Sequence, residues 1–393
     1  MNLSTWLASA RRHFTSDSPL LLAGLSLIVL GYVMVSSSSM HLGIKLAHDH
    51  SYYPLRQGIH ILLGSAAALV IVNIKMAQWQ ARAGSLLLVG LLLLVVVLIP
   101  GVGIKVNGST RWLSLAGLRI QVSEVAKLTS IVYMAHYVAR HQRMLQQSLF
   151  GLLPPLLLFG FTAFLLLLEP DFGSAVVILT LVMGLLFLAG APLMPFAVLA
   201  AGLVASAGAL IWFEPYRMKR LLAFMDPWAD PLNSGFQLVQ ALISFGRGEW
   251  LGVGLGAGIQ KLFYLPEAHT DFLFSVVAEE LGLVGVVAVI ALFSIVFWRA
   301  FAIGEAALRV EQTFSAYVAY GIGIWFGFQA FVNMGVNMGL LPTKGLTLPL
   351  MSYGGGSMIV MCAALALLFR IQGEIDEINA SRPKRKPGWN GVL

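Results

Sequence analysis

The chain is predicted to be an all-α polytopic membrane protein of about ten transmembrane helices, and three observations predict it. Of its 393 residues, 58% are hydrophobic and only 11% are charged. The mean hydropathy is +0.83, far outside the range of soluble globular domains. The apolar residues fall in ten segments that meet or approach the roughly 20 residues a bilayer span requires. A formal charge of +7 does not signal nucleic acid here, because the basic residues are scattered over loop ends and the C-terminal tail rather than gathered on one face. The single cysteine, Cys362, excludes an intrachain disulfide and a thiolate metal cluster.

The spans run roughly Leu20 to Ser38, Ile59 to Ile74, Ala83 to Pro100, Val122 to Val138, Leu149 to Leu168, Gly173 to Gly190, Leu193 to Phe213, Asp271 to Phe297, Phe314 to Val332 and Gly355 to Ile371. The first follows Arg11 and Arg12, and Ser36 to Ser39 resemble the small residues that end a cleaved signal peptide. The length of that segment and the many spans behind it favour an uncleaved first helix. An even number of crossings puts both termini on one side. Short loops there carry Arg11, Arg12, Lys75, Arg82, Arg140, Arg143, Arg299, Arg309 and Arg370, and the tail adds Arg382, Lys384, Arg385 and Lys386. The opposite short loops hold only Lys45, Arg56, Lys105, Arg111, Arg119 and Lys344, so the positive-inside rule makes both termini cytoplasmic. Residues 1–371 then form one membrane domain. Residues 372–393 form a basic, mobile cytoplasmic tail whose run Arg382 to Lys386 suits anionic lipid headgroups.

One long outer loop, 214–270, joins the seventh and eighth spans. It holds a basic cluster of Arg217, Lys219 and Arg220, and Asp226-Pro-Trp-Ala-Asp-Pro-Leu reads as a proline-punctuated turn region. Phe236, Val239 and Ile243 recur at helical spacing after Gly235, which predicts an amphipathic helix too short to span that lies in the interface or dips in from outside. Gly252, Gly254, Gly256 and Gly258 alternate in the next stretch. Such a run serves either as a flexible hinge or as backbone that approaches a phosphate. It is not a nucleotide P-loop, since it lacks the Gly-Lys-Ser/Thr ending.

The loop closes on Tyr264-Leu-Pro-Glu-Ala-His-Thr-Asp-Phe272, where Glu267, His269 and Asp271 cluster with Lys261 at the mouth of the eighth span. Thr270 reads as the N-cap and Asp271 as a first-turn residue, whose carboxylate the positive helix end keeps ionised. Asp271 either caps the helix at the water boundary or accepts a proton there. Other ionisable groups lie where the bilayer centre costs at least about 2.5 kcal/mol unless they are paired or line a wet cavity. Glu124 and Lys127, three apart on the fourth span, are either a self-neutralising pair or the polar wall of an outer cavity that offers Lys127 to an anionic substrate. Glu279 and Glu280 lie about 12 to 14 Å beyond Asp271 along a helix and are read as paired inside the bundle. His60 is read as a buried, hydrogen-bonded residue. Two compact outer loops complete the set. The carboxylates of Glu169-Pro-Asp-Phe-Gly-Ser cap helices or floor a cavity, and Lys344 with the helix start at Ser352 to Ser357 suits a phosphate.

These residues carry a family resemblance. Asn107-Gly-Ser-Thr-Arg-Trp-Leu, Gln121-Val-Ser-Glu-Val-Ala-Lys127, Glu169-Pro-Asp-Phe-Gly-Ser, Asp226-Pro-Trp-Ala-Asp-Pro, Tyr264 to Phe272 and Leu341-Pro-Thr-Lys-Gly-Leu-Thr-Leu-Pro-Leu-Met-Ser-Tyr-Gly-Gly resemble the SEDS proteins (shape, elongation, division and sporulation) over nearly all ten spans. The wording Pro-Glu-Ala-His-Thr-Asp and Pro-Thr-Lys-Gly-Leu-Thr-Leu-Pro is similar to the division branch, FtsW, rather than the elongation branch, RodA. The resemblance implies a peptidoglycan glycosyltransferase of the bacterial inner membrane. Such a protein polymerises lipid II on the outer face at the division septum, alongside a class B penicillin-binding protein and other divisome membrane proteins. Its essential aspartate falls on Asp271, and its fourth-span glutamate and lysine fall on Glu124 and Lys127. Val122 stands where the family usually has proline. Gly356 stands where it usually has serine, which removes one hydroxyl from the anion site beside Ser357.

Joining lipid II units displaces a diphosphate, a good leaving group, so one carboxylate base with cationic stabilisation suffices. The resemblance therefore implies Asp271 as general base and Lys344, Lys127 or Arg111 as the cation facing the diphosphate. Glu124, His269, Glu267, Ser352 and Ser357 are the further candidate substrate contacts. Mg²⁺ or Mn²⁺ is an optional companion of the diphosphate, and no dedicated cage for it is evident. A lipid II flippase and a non-catalytic divisome scaffold are the alternatives. A carrier would depend on the deep Glu279, Glu280 and Lys127, an enzyme on Asp271.

Overall fold

Apolar segments in lipid must satisfy their backbone internally, which leaves the helix as their form, and each of the ten predicted segments coincides with one. The computed structural model describes residues 3–106, 109–115, 118–213, 215–342 and 345–381. An amphipathic α1 (Leu3–Thr15) precedes α2 (Ser18–Ala47) and α3 (Tyr52–Ile71), and a short α4 (Met76–Ala81) leads into α5 (Ala83–Val97). Three strands follow, β1 (Ile104–Val106), β2 (Ser109–Leu115) and β3 (Leu118–Gln121), and then α6 (Val122–Gln147), α7 (Leu153–Leu168), α8 (Phe172–Leu188) and α9 (Leu193–Trp212). The long loop contributes α10 (Pro215–Met225) and α11 (Phe236–Gly248) before α12 (Leu273–Arg309), α13 (Thr313–Asn337) and α14 (Gly356–Ser381). Among the described residues, α2, α3, α12, α13 and α14 are long and apolar enough to cross a membrane. Shorter apolar helices are α5, α7, α8 and part of α9, Phe196–Ser206. The chain is thus a multi-pass membrane protein.

The strands depart from the all-helical expectation. They form an antiparallel sheet in the order β1-β2-β3, with Trp112 opposite both Ile104 and Gln121. The C-terminal segment departs as well, since α14 continues as helix to Ser381. The basic run Arg382 to Lys386 lies outside the described residues.

Contacts sort the loops into two ends. At one, Arg299 pairs with Asp17 at 2.6 Å, Arg370 contacts His13 at 3.0 Å, and Glu374 bridges Arg370 and the backbone N–H of Met76. This end carries α1 and the last turns of α14. The opposite end gathers the sheet, the 169–171 turn, the close of the long loop and the 345–355 loop. In the centre, α13 and α14 are the most enclosed spans, and α6 faces them with Ser123, Glu124, Lys127 and Ser130 buried.

The predicted short helix is α11, and it packs against α12. Leu238, Val239, Ala241, Ser244 and Gly248 form its buried face, which runs inward beside the first turns of α12. A Cβ on Gly248 would meet the carbonyl oxygen of Ala278 at 1.8 Å, so only glycine allows this approach.

The glycine run beyond it is tied to the start of α12 through several of its backbone donors. Val253 and Gly254 N–H groups bond to the carbonyls of Glu279 and Glu280. Gly256 N–H donates to Glu280 Oε2 at 3.0 Å, and Ile259 N–H donates to Glu279 Oε1 at 2.9 Å. Arg247 completes Glu279 at 2.8 Å, and Lys261 completes Glu280 at 2.5 Å with the Ser37 hydroxyl at 2.8 Å. The two deep glutamates are paired, as the sequence reading has it. The re-entrant segment wraps a break in α12 at Gly282, where φ is +65°. There Leu283 and Val284 N–H groups leave the helical pattern and bond to the carbonyls of Glu249 and Trp250.

Candidate active site

Asp271 sits in a tight turn rather than in a helix. Glu267 adopts a left-handed φ of +55°, and its carbonyl accepts the N–H groups of Thr270 at 3.1 Å and Phe272 at 3.2 Å. The Thr270 hydroxyl donates to Glu267 Oε2 at 2.8 Å. This occupies Thr270 and corrects its assignment as N-cap: α12 starts at Leu273 with Phe272 in the cap position and no side-chain cap of its own. The cap comes from another helix. Asn337 Oδ1 accepts Ser275 N–H at 3.1 Å, shared with Phe272 O, and the Ser275 hydroxyl at 2.7 Å.

The same face of α13 holds the Asp271 backbone. Asn333 and Asn337 donate to its carbonyl oxygen at 2.8 and 3.0 Å. Asn333 also donates to Leu346 O at 2.6 Å, and Gln329 donates to Thr347 O at 2.9 Å. The 345–347 strip is thereby drawn against the turn, and a Cβ on Gly345 would lie 3.3 Å from Asp271 Oδ2. Lys344, the preceding residue in the chain, lies outside the described residues.

Ser352 is a tie between loops rather than an anion donor. Its hydroxyl donates to Thr270 O at 2.6 Å and accepts from Leu348 N–H at 2.9 Å, and the residue is buried. The start of α14 is likewise closed. A Cβ on Gly356 would meet Ile120 Cα at 2.8 Å and Arg119 O at 3.1 Å, so β3 lies across this helix end and leaves no room for a serine side chain. Ser357 is buried, its N–H bonded to Gly354 O at 3.0 Å. Among the described residues, this helix start is closed by β3.

Around the turn stand aromatic rings that sequence reasoning missed. The His269 ring packs 5.0 Å from Tyr53 and 5.6 Å from Tyr353, and its backbone carbonyl accepts Tyr353 N–H at 3.0 Å. Burial holds His269 below the ordinary imidazole range despite the opposing pull of Glu267, so the ring is neutral at pH 7. Burial pushes the Tyr353 hydroxyl up, against the Arg56 guanidinium. His60 is buried with its ring 6.2 Å from Tyr353, and its Nδ1 has no hydrogen-bond partner among the described residues.

Arg111 reaches the same end from β2. It donates to Pro170 O at 2.6 Å and to Ser109 Oγ at 3.0 Å, with Asp171 Oδ1 at 3.7 Å. Asp171 caps α8 through Ser174 N–H, as the sequence suggests. Gly173, two residues on, approaches Leu346, which brings the 169–171 turn that Arg111 contacts close to the loop beside Asp271. Glu169 is fully buried. Burial, aided by the Asp171 carboxylate and opposed by Arg111, pushes it up to about 8.

Glu124 and Lys127 reach this cluster only through Gln329. Lys127 Nζ lies 2.6 Å from Glu124 Oε1 and 2.9 Å from Gln329 Oε1, with the two charged side chains 0% and 3% exposed. The ammonium is enclosed and shared, so the pair is self-neutralising and is not a wall offered to an anion. Asn333 and Asn337 fell beyond the predicted end of their span. Gln329, Asn333 and Asn337, four residues apart and all buried, are a polar stripe of the kind that carries interhelical contacts. That spacing was the available signal. Among the described residues, no three His, Cys, Asp or Glu side chains gather as a metal site requires.

Comparison with known proteins agrees with this architecture. A family model described as cell cycle protein, covering FtsW, RodA and SpoVE, matches residues 18–377. The probable peptidoglycan glycosyltransferase FtsW of Methylomonas methanica is 63% identical over 95% of this chain and 96% of its own. That of Methylococcus capsulatus is 59% identical over 97% and 95%. A solved chain from a peptidoglycan synthase complex that coordinates polymerization and crosslinking superposes with a TM-score of 0.74 at 33% identity, covering 91% of this chain and 98% of that one. The rod shape determining protein RodA of Thermus thermophilus gives 0.67 at 29% identity, over 91% and 96%. The chain belongs to the FtsW/RodA/SpoVE family of cell cycle proteins.

Proposed function

We propose that the protein is a peptidoglycan glycosyltransferase that polymerises lipid II in septal wall synthesis, with Asp271 as its general base. The observation that carries the reading is the placement of Asp271, whose backbone is fixed from α13 and whose carboxylate lies against the 345–347 strip. A hydroxyl of the acceptor glycan attacks the anomeric carbon of the donor. The new glycosidic C–O bond forms as the bond to the undecaprenyl diphosphate breaks, with inversion, and the hydroxyl proton passes to Asp271. The departing diphosphate takes the electron pair, and the cations proposed to face it are Lys344 and Arg111. Arg111 is tethered to the 169–171 turn with its side chain 23% exposed, whereas enclosure removes Lys127 from this role. Glu267 and His269 shape the turn that presents the base. Basic residues at the end bearing α1 and the last turns of α14 favour a cytoplasmic placement for it, and the site then faces the outer side of the inner membrane.

A class B penicillin-binding protein is the proposed partner, supported by the likeness to a chain from a synthase complex. Transport of lipid II is the weaker reading, because the groups a carrier would use, Glu279, Glu280 and Lys127, are held in buried pairs. The test is polymerisation of labelled lipid II by purified protein, with and without the penicillin-binding protein. A positioned base contributes about 10² to 10⁴-fold, so Asp271→Ala should lose that much while keeping its fold. Wild-type rates from this variant would refute the assignment.

A further inference from the structure

Asn333 touches both walls of the site from a helix, α13, that belongs to neither. It lies on α13 between Gln329 and Asn337, is 2% exposed, and divides its two amide hydrogens between carbonyls of different loops. One goes to Asp271 O at 2.8 Å and the other to Leu346 O at 2.6 Å. Its own backbone carbonyl accepts from Asn337 Nδ2 at 2.8 Å, and Asn337 reaches Asp271 O and the start of α12. The amide is therefore a spacer of fixed length between the turn that carries Asp271 and the strip that begins at Gly345. No other amino acid of this size offers two donors from one planar nitrogen. Aspartate would face two carbonyl oxygens with acceptors only, and leucine would leave Leu346 O without this donor and Asp271 O with Asn337 alone.

We propose that Asn333 is a positioning residue that sets the distance between the carboxylate of Asp271 and the loop at 345–347, and through it the rate of glycan joining. The proposal rests on Asp271 being the base. Asn333 does not touch the substrate, so its loss should slow the chemical step and leave lipid II binding in place. A misplacement of 1 Å costs about 10²-fold in rate, which is the loss expected in kcat for Asn333→Ala.

The experiment measures kcat, KM and the stoichiometry of lipid II bound per purified chain for the wild type, Asn333→Ala, Asn333→Ser and Asp271→Ala. A positioning role gives a large fall in kcat with KM and stoichiometry unchanged, and a partial return in Asn333→Ser, whose hydroxyl restores one donor. A purely structural role would lower stoichiometry in step with kcat, and that result overturns the proposal, as does an unchanged kcat. Should Asn333→Ala not accumulate, Asn333→Ser carries the same readouts. Wild-type rates from Asp271→Ala would remove the base itself. Loss there beside wild-type rates in Asn333→Ala would remove only the positioning role.

Discussion

Lys127 and Glu124 face one another at 2.6 Å on adjacent turns of α6, both sealed from solvent and lipid. Taking one partner from a buried ion pair strands the other charge and costs about 3–5 kcal/mol, whereas replacing both is far milder. Lys127→Met should therefore lower the melting temperature sharply in detergent, and Lys127→Met with Glu124→Gln should recover most of the loss. If Lys127→Met melts like the wild type yet raises KM for lipid II, the lysine is a substrate contact after all.

Gly282 breaks α12 at a φ of +65°, and a Cβ there would lie 2.3 Å from Gly252 N and 2.7 Å from Leu251 N. The conformation alone costs a non-glycine residue about 1–3 kcal/mol, and the clash is with backbone that has nowhere to move. Gly282→Ala should thus destabilise the protein more than the φ strain predicts. Thermal melts indistinguishable from the wild type would mean the re-entrant segment can be displaced cheaply.

Glu169 offers a test by pH. Its carboxyl ionises at an ordinary value of 4.5 when unfolded and at about 8 when buried beside Asp171. A raised folded value means that its contribution to stability is complete below pH 4.5 and is lost as pH climbs through about 8. Glu169→Gln keeps the shape of the neutral acid and cannot ionise. The variant should melt higher than the wild type above pH 8 and show a flatter profile between 4.5 and 8. Parallel profiles would place the charge of Glu169 elsewhere.

Ser352 joins Thr270 O to Leu348 N–H through one hydroxyl. Removing it leaves a buried donor and a buried acceptor unpaired, each costing about 1–3 kcal/mol. Ser352→Ala should lower the melting temperature with KM for lipid II little changed. A selective rise in KM without loss of stability would revive its role as an anion donor.

Ten helical segments could be read from the sequence because lipid forces long apolar stretches into one form. Their ends could not. Asn333 and Asn337 look like the start of a loop because polarity usually marks the water boundary, but here it marks a packed interior. The sheet was hidden among short runs without clean alternation, although Asn107-Gly108 is a hairpin signal. The turn at Asp271 was mistaken for a helix start because Thr-Asp before an apolar run is the ordinary capping pattern. Only the fold shows that Glu267 claims the threonine. The break at Gly282 depends on backbone from residues 249–252, and nothing near Gly282 in the chain announces that visitor. Asp271, His269 and Glu267 were found as a group because they are sequence neighbours. Their companions Tyr53, Tyr353 and Asn333 arrive from three other elements.

The interruption at Gly282 has a mechanical meaning. The lower shaft of α12 turns Leu283, Val284 and Val287 outward, where any neighbouring helix or lipid would press on it. A push there meets a joint before it reaches the acid, while the upper stub stays clamped by Arg247, Lys261 and Asn337. The turn that carries Asp271 is thus moored to the bundle interior through Asn333 and Asn337 as well as to the span it leads into.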